Sequence, residues 1–160
     1  MKLTLLGGGG FRVPLMFRTL LADQSDRRVT ELRLWDTDAG RLAVIRSILQ
    51  AMTQGHPKAP KVEVSQNLDE AVAGTDFVFS AIRVGGTEGR ATEETIAHCC
   101  EVLGQETTGF GGLNYALRGI PTAIRIAETI ARLAPRAHLI NFTNPAGIIT
   151  EVSSRILGDR

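Results

Sequence analysis

Four consecutive glycines, Gly7-Gly8-Gly9-Gly10, follow the strand-like run Lys2 to Leu6 and lead into a segment of helical spacing from Phe11 to Ala22. Glycines between a strand and a helix let the backbone approach a pyrophosphate closely. The helix N-terminus then supplies N–H donors and a partial positive charge. Pro14 fits such a helix only in its first turn. The G-x-G-x-x-G pattern is incomplete, since Arg12 stands at its third glycine position. The next strand, Leu32-Arg33-Leu34-Trp35-Asp36, ends in an acid at the spacing of a carboxylate that bonds an adenosine ribose. A carboxylate there favours NAD and disfavours the extra phosphate of NADP. Strand, glycines, helix and acid in that order predict a dinucleotide site. The plainer alternative is a tight turn followed by an Asp that caps the next helix.

The remaining chain keeps alternating. Ala39 to Gln54 has an amphipathic helical pattern through Leu42, Ile45, Ile48 and Leu49, stopped by Gly55-His56-Pro57. Val62-Glu63-Val64 is a brief strand near an edge, and Asn67-Leu68-Asp69-Glu70 a capped turn with Asn67 as N-cap. Phe77 to Ile82 is the most continuous apolar strand, as expected when both faces are covered. A polar helix is predicted over Glu88 to Leu103. A second helix after Gly109 to Gly112 has Leu113, Leu117, Ile120, Ile124, Ala127, Ile130 and Leu133 on one face, with a kink or restart at Pro121. His138 to Phe142 is the last strand and Pro145 to Leu157 a closing helix. Such alternation predicts one α/β domain over residues 1–160, a doubly wound parallel sheet with helices on both faces. Its long loops fall after the fourth and fifth strands, where ligands sit in this architecture.

Charge and cysteine content narrow the partners. Lys plus Arg number 18 against 17 Asp plus Glu, a net charge of +1 that gives no reason to expect nucleic acid or an anionic membrane. No apolar run is long enough for a membrane span. The two cysteines, Cys99 and Cys100, are neighbours and build no disulfide framework, so a reducing cytoplasm is the expected compartment and small buried or half-buried apolar roles the expected use. His56, His98 and His138 are scattered, and no C-x-x-C, H-E-x-x-H or G-x-S-x-G spacing occurs.

Three further segments carry chemistry-bearing residues. Arg83-Val84-Gly85-Gly86-Thr87-Glu88-Gly89-Arg90 puts two arginines in a glycine-rich loop, suited to a phosphate or carboxylate and equally to a solvated surface. Gly104-Gln105-Glu106-Thr107-Thr108-Gly109-Phe110-Gly111-Gly112 reads as an active-site wall or a helix lead-in. Asn141-Phe142-Thr143-Asn144-Pro145 ends the last strand with two amides, one facing a ligand or Asn144 capping the next helix.

Taken together, these segments resemble the NAD- and metal-dependent glycoside hydrolases of family 4, the phospho-glucosidase and α-galactosidase group. The resemblance covers essentially the whole chain. Gly-Gln-Glu-Thr-Thr-Gly at 104–109 and Asn-Phe-Thr-Asn-Pro-Ala-Gly at 141–147 are its most specific strings, and these with the Arg-Val-Gly-Gly loop look most like 6-phospho-β-glucosidases. Two departures stand out: Phe110 where the family commonly has Pro, and Gly10 where it has a small hydroxyl residue.

The resemblance implies a glycosidase outside the two-carboxylate scheme. NAD takes hydride from C3 of the sugar, the C2 proton becomes acidic, and the aglycone leaves C1 by elimination. Water then adds and the hydride returns. A divalent metal, manganese, holds O2 and O3. By motif, Arg90 would meet the sugar phosphate and Asn144 a sugar hydroxyl, while Glu106 supports the base. Gly8, Gly9, Gly10, Phe11 and Arg12 would offer the pyrophosphate loop, Asp36 the ribose contact, with Ile82 and Arg83 also on the cofactor. The family's metal-binding Cys and His and its catalytic Tyr are expected downstream of residue 160, so no metal ligand is expected within 1–160. The chain would be an NAD-binding part, inactive alone, of a self-associating enzyme. Two other readings are a lactate- or malate-dehydrogenase-like NAD domain and a non-catalytic NAD-binding module, the latter favoured by any exposed apolar patch along Leu113 to Leu133.

Overall fold

A computed structural model describes residues 1–160. Its elements are β1 (Lys2–Leu6), α1 (Val13–Ala22), β2 (Glu31–Trp35), α2 (Ala39–Met52), β3 (Lys61–Ser65), α3 (Leu68–Val72), β4 (Phe77–Ser80), α4 (Gly86–Cys99), α5 (Gly109–Leu133), β5 (His138–Asn141) and α6 (Ala146–Leu157). The five strands form one parallel sheet in the order β3-β2-β1-β4-β5. The winding reverses between β1 and β4, and in open α/β sheets that switch point opens a crevice at the carboxyl ends of the strands. The doubly wound fold expected from the alternation is the one observed.

Strand alternation sends side chains to two separate cores. Leu3, Leu5, Leu32 and Leu34 pack with Phe17, Leu42, Ile45 and Leu49 under α1 and α2. Leu6, Trp35 and Val78 face the other way, onto Ala71, Val72, Ile126, Ile130 and Leu157 of α3, α5 and α6. Each fully buried Leu, Ile or Phe contributes roughly 1.5–3 kcal/mol. Thr4 of β1 is buried and polar, and its hydroxyl donates to the Ala71 carbonyl at 2.6 Å, tying β1 to α3. As expected, β3 lies at the sheet edge, where Lys61 and Glu63 pair at 2.5 Å and charge the strand against further pairing. Asn67 caps α3 by accepting from the N–H groups of Asp69 and Glu70. The return arm of that cap runs through Ser65, which accepts from the Asn67 N–H and donates to the Glu70 carboxylate.

Four expectations are corrected. The buried face of α5 is Tyr115, Ala116, Gly119, Ala123, Ile126, Ala127 and Ile130, whereas Leu113, Leu117 and Ile124 are exposed. The physical reason is close approach: Ala116, Gly119 and Ala123 let α5 press against its neighbours, and a Cβ on Gly119 would stand only 3.4 Å from Ile149 of α6. A larger stripe could not sit as near, so the leucines turn outward. Secondly, α5 runs unbroken through the exposed Pro121, and it does not restart there. Thirdly, the connections after β4 and β5 are short; the long irregular stretch on this side is 100–108, between α4 and α5. It arises because α4 stops at Cys99, four residues before the expected Leu103, and Glu101 adopts a left-handed φ of 55°. Cys99 and Cys100 end that helix exposed, not buried.

Candidate functional site

The floor of the crevice is the loop after β1. Gly7 has φ +89°, and a Cβ there would lie 2.5 Å from the Ala81 carbonyl oxygen of the adjoining β4 loop. A Cβ on Gly8 would meet Leu34 Cβ at 2.6 Å, and one on Gly9 would meet Arg41 Cβ at 2.7 Å. All three glycines are therefore required by packing, and Gly7 by conformation as well. The N–H groups of Gly7 and Gly8 donate to the Trp35 carbonyl at 2.9 and 2.8 Å, and that of Gly10 to the Gly7 carbonyl at 3.0 Å. The Gly9 N–H donates to Asp36 Oδ2 at 2.9 Å, while Asp36 Oδ1 accepts from the Asp38 N–H. Asp36 thus clasps the glycine loop to the end of β2. It does not cap α2; Asp38 does, accepting from the Arg41 N–H at 2.9 Å.

Gly8, Gly9 and Gly10 accordingly turn their N–H groups inward. The N–H groups of Phe11 and Arg12 make no hydrogen bond in the protein and remain available at the start of α1. Phe11 is 82% exposed, with the Arg12 guanidinium 4.9 Å from its ring centroid. A glycine turn packed tightly against β2 and the β4 loop, two free backbone donors and a carboxylate at the next strand end match the chemistry of a dinucleotide.

Across the switch point the site is built from side chains. Arg83 pairs with Glu106, and Arg90 reaches the other oxygen of that carboxylate at 3.4 Å while donating to Glu94 at 2.7 Å. Glu106 is placed by glycines: residues 105–107 lie so close on the first turn of α5 that a Cβ on Gly111 or Gly112 would collide with the backbone of Gln105 or Thr107. One Arg83 nitrogen, Nη1, is sealed from solvent without a partner.

Behind these residues lies a group that the sequence did not single out. Glu93, 4% exposed, sits 2.5 Å from Arg118 Nη2. Arg118 also donates to the Val84 carbonyl at 2.8 Å, and the Tyr115 ring lies 4.8 Å from the Arg83 guanidinium and 5.7 Å from that of Arg118. Burial raises the Tyr115 phenol above its ordinary value of 10.0, outweighing the pull of Arg83. Two faint signals existed: Tyr115 is the sole tyrosine, and Arg118 the only charge between Gly109 and Ile124.

The third loop closes the site. The Thr143 hydroxyl hydrogen-bonds the Ser80 hydroxyl at 2.9 Å and accepts from the Ile82 N–H at 3.2 Å, joining the β4 and β5 loops. Asn141 is structural: its amide nitrogen donates to Thr143, Ala146 and Thr150, and its oxygen accepts from the Thr143 N–H. Asn144 does not cap α6, whose N-cap is Pro145, and its half-buried amide has no protein partner. His56, His98 and His138 lie at the surface, and no group of three or more His, Cys, Asp or Glu side chains could hold a metal ion. No helix is long and apolar enough to cross a membrane.

Comparison with known proteins matches residues 2–159 to the family 4 glycosyl hydrolases. Over 160 residues the chain is 35% identical to the 6-phospho-β-glucosidase of Escherichia coli (strain K12), covering 99% of this chain and 36% of that enzyme. It is 34% identical over 152 residues to the 6-phospho-α-glucosidase 1 of Lacticaseibacillus paracasei, covering 94% of this chain and 34% of the relative. The 6-phospho-β-glucosidase of Thermotoga maritima, solved with manganese, NAD+ and glucose-6-phosphate, superposes with a TM-score of 0.90 at 31% identity, over 98% of this chain and 38% of that one. A lactate dehydrogenase from Eimeria maxima shares the fold alone, at TM-score 0.68 and 15% identity over 98% of this chain and 40% of that one. The chain spans about a third of the length of these curated relatives. Glycine loop, acid clasp and doubly arginine-bound Glu106 therefore lie within a matched segment of 2–159, and the chain belongs to family 4 of the glycosyl hydrolases.

Proposed function

We propose that residues 1–160 are the NAD-binding part of a glycosidase that hydrolyses 6-phospho-β-glucosides. The observation that carries the reading is Glu106, held by Arg83 and Arg90 at the carboxyl end of the sheet, across the switch point from the Asp36-clasped glycine loop. The cofactor, when bound, accepts a hydride from C3 of the sugar and later returns it.

The chain's own residues position that exchange. Phe11 and Arg12 N–H groups bind the pyrophosphate, Gly8, Gly9 and Gly10 let it come close, and Asp36 accepts the ribose hydroxyls. The backbone of Ile82 and Arg83 lines the cofactor side. Arg90 keeps Nε on Glu94 and Nη1 beside the half-buried Glu106, and offers the remaining edge of its guanidinium to the sugar phosphate. Asn144 bonds a sugar hydroxyl with its free amide. Glu106, clamped by two guanidiniums, orients and supports the base that takes the C2 proton. None of these residues is assigned to manganese, which belongs to the reading of the whole enzyme, as do self-association and a cytoplasmic setting.

Calorimetric titration of the chain with NAD, then NADP, tests the reading, with Asp36→Ala as control. Saturable NAD binding weakened about tenfold or more in the variant, and weaker NADP binding, is expected. Absence of NAD binding, in this chain and in any longer protein that contains it, would overturn it. A dehydrogenase reading leaves the clamped Glu106 without a role. A non-catalytic NAD-binding module is favoured by one observation, the exposed Leu113, Leu117 and Ile124 of α5. Such a module would bind NAD without responding to a sugar phosphate.

A further inference from the structure

We infer that Glu93 and Arg118 form a positioning pair, which touches no ligand but sets the Arg83 guanidinium, and through it the Glu106 carboxylate, by way of the Tyr115 ring. This rests on the reading of the crevice as a sugar-phosphate site. Neither Glu93 nor Arg118 takes part in the binding and proton steps of that reading.

The starting point is the cost of burying Glu93. Most of α4 is polar and exposed, and its other buried residue is Ala97. A carboxylate turned inward from such a helix loses its water and must find a cation. It finds one, Arg118, which arrives from α5 with its own side chain mostly covered. Buried pairs of this sort seldom stabilise a fold more than apolar residues of similar size would. What they do supply is direction, because a guanidinium held at several atoms has one orientation.

Arg118 is held in that way. Glu93 stands 2.5 Å from Nη2 as a buried charge contact without hydrogen-bond geometry, the Val84 carbonyl accepts from Nε, and two glycines leave room for the side chain. A Cβ on Gly85 would stand 2.6 Å from Arg118 Nε, and one on Gly89 would stand 2.8 Å from its Cζ. Both glycines belong to the segment between Arg83 and Arg90, so Arg118 is the template on which that segment lies. The ring of Tyr115 then carries the arrangement forward, with Arg118 and Arg83 both within cation–π range. Two cations share one ring, and each has its own carboxylate, Glu93 for Arg118 and Glu106 for Arg83. Removing the Glu93 charge leaves Arg118 unbalanced beside Tyr115 and frees it to turn toward the nearest remaining carboxylate. Arg83 and Glu106 would then lose their register.

The test uses the 160-residue chain, with the Nε–Hε resonances of Arg83 and Arg118 followed by NMR and affinities for NAD and glucose 6-phosphate measured in parallel. Glu93→Gln should shift the Arg83 resonance and weaken glucose 6-phosphate roughly tenfold while NAD affinity stays within about twofold. Glu93→Asp should restore most of the loss. Arg118→Lys, which keeps the charge but loses the fork, is the second variant should Glu93→Gln fail to fold, and it should also move Arg83. An unmoved Arg83 resonance in the folded variants overturns the positioning pair, as does a proportional loss of both ligands. Should the unaltered chain ignore glucose 6-phosphate, that failure belongs to the functional reading, and the Arg83 resonance alone still decides for or against the pair.

Discussion

The loop after β1 is held by main chain, with Gly7, Gly8 and Gly10 donating to carbonyls and one carboxylate, Asp36, clasping Gly9. The loop after β4 is held by charge, through Arg83, Arg90, Glu93, Glu106 and Arg118 around one buried tyrosine. The two loops touch where Gly7 meets Ala81, yet they solve different problems. The first loop folds tightly against β2 and the β4 loop, so side chains are removed. A carboxylate clamped between guanidiniums needs fixed direction, so side chains are added and braced. Main-chain positioning fails when a Cβ is inserted, and side-chain positioning fails when a charge is taken away.

The sharpest way to break the first loop is Gly7→Ala. The new Cβ would have to move the Ala81 carbonyl, which lies 2.5 Å away, and the residue would also hold a positive φ of 89°. Strain and overpacking together should cost about 2–4 kcal/mol, read from the urea midpoint, with NAD binding lost. A loss below about 1 kcal/mol would mean that the loops yield independently and the contrast between them is overdrawn.

The same contrast explains what could be read before the fold was known. Glycines and a strand-end acid are local in sequence, so the first loop was legible from Gly7 to Asp36. The structure refined it by moving the free donors to Phe11 and Arg12. Arg83, Arg90 and Glu106 were legible as candidates, but their convergence was not, because Glu106 arrives from a separate segment laid over α5. Glu93 was not legible at all: beside Glu94 it is one of three glutamates on a polar helix, and only its burial sets it apart. The α5 face was misread for a related reason. Periodicity weights leucine and isoleucine, whereas the contact with α6 and the sheet selects for Ala116, Gly119 and Ala123. Shape complementarity between helices leaves little trace in hydropathy.

The charged loop can be sharpened by pH. Burial holds the Tyr115 phenol neutral, with its ionisation pushed above 10.0. The unfolded chain therefore gives up this proton first as pH rises past 10.0. Its contribution to stability is fully present below that point and is lost as pH climbs toward the raised value in the fold. The urea midpoint should fall as pH rises above 10.0, and Tyr115→Phe should flatten the part of that fall due to this residue. Phenolate absorbance gives the same group directly, since the chain has one tyrosine. An ordinary phenol titration near 10.0 would place the ring in water and dissolve the link between Arg83 and Arg118.

The smallest effect separates the two sides of α5. Ala116 and Leu117 are neighbours in sequence, 1% and 60% exposed. Leu117→Lys should change stability by no more than about 0.5 kcal/mol, because the leucine leaves little water behind when the protein folds. Ala116→Leu, a gain of apolar surface by composition, should cost about 1–3 kcal/mol because the space beside it is already filled. A hydropathy argument predicts the opposite order for the pair. Unfolding curves for both variants decide it, and the reversed order would turn α5 about its axis, put Leu113, Leu117 and Ile124 into the core and carry Tyr115 away from Arg83. The stripe that is apolar by sequence and the face that is buried share Ala127 and Ile130 but part company at Leu113, Leu117 and Ile124, and the brace behind Glu106 depends on the buried face.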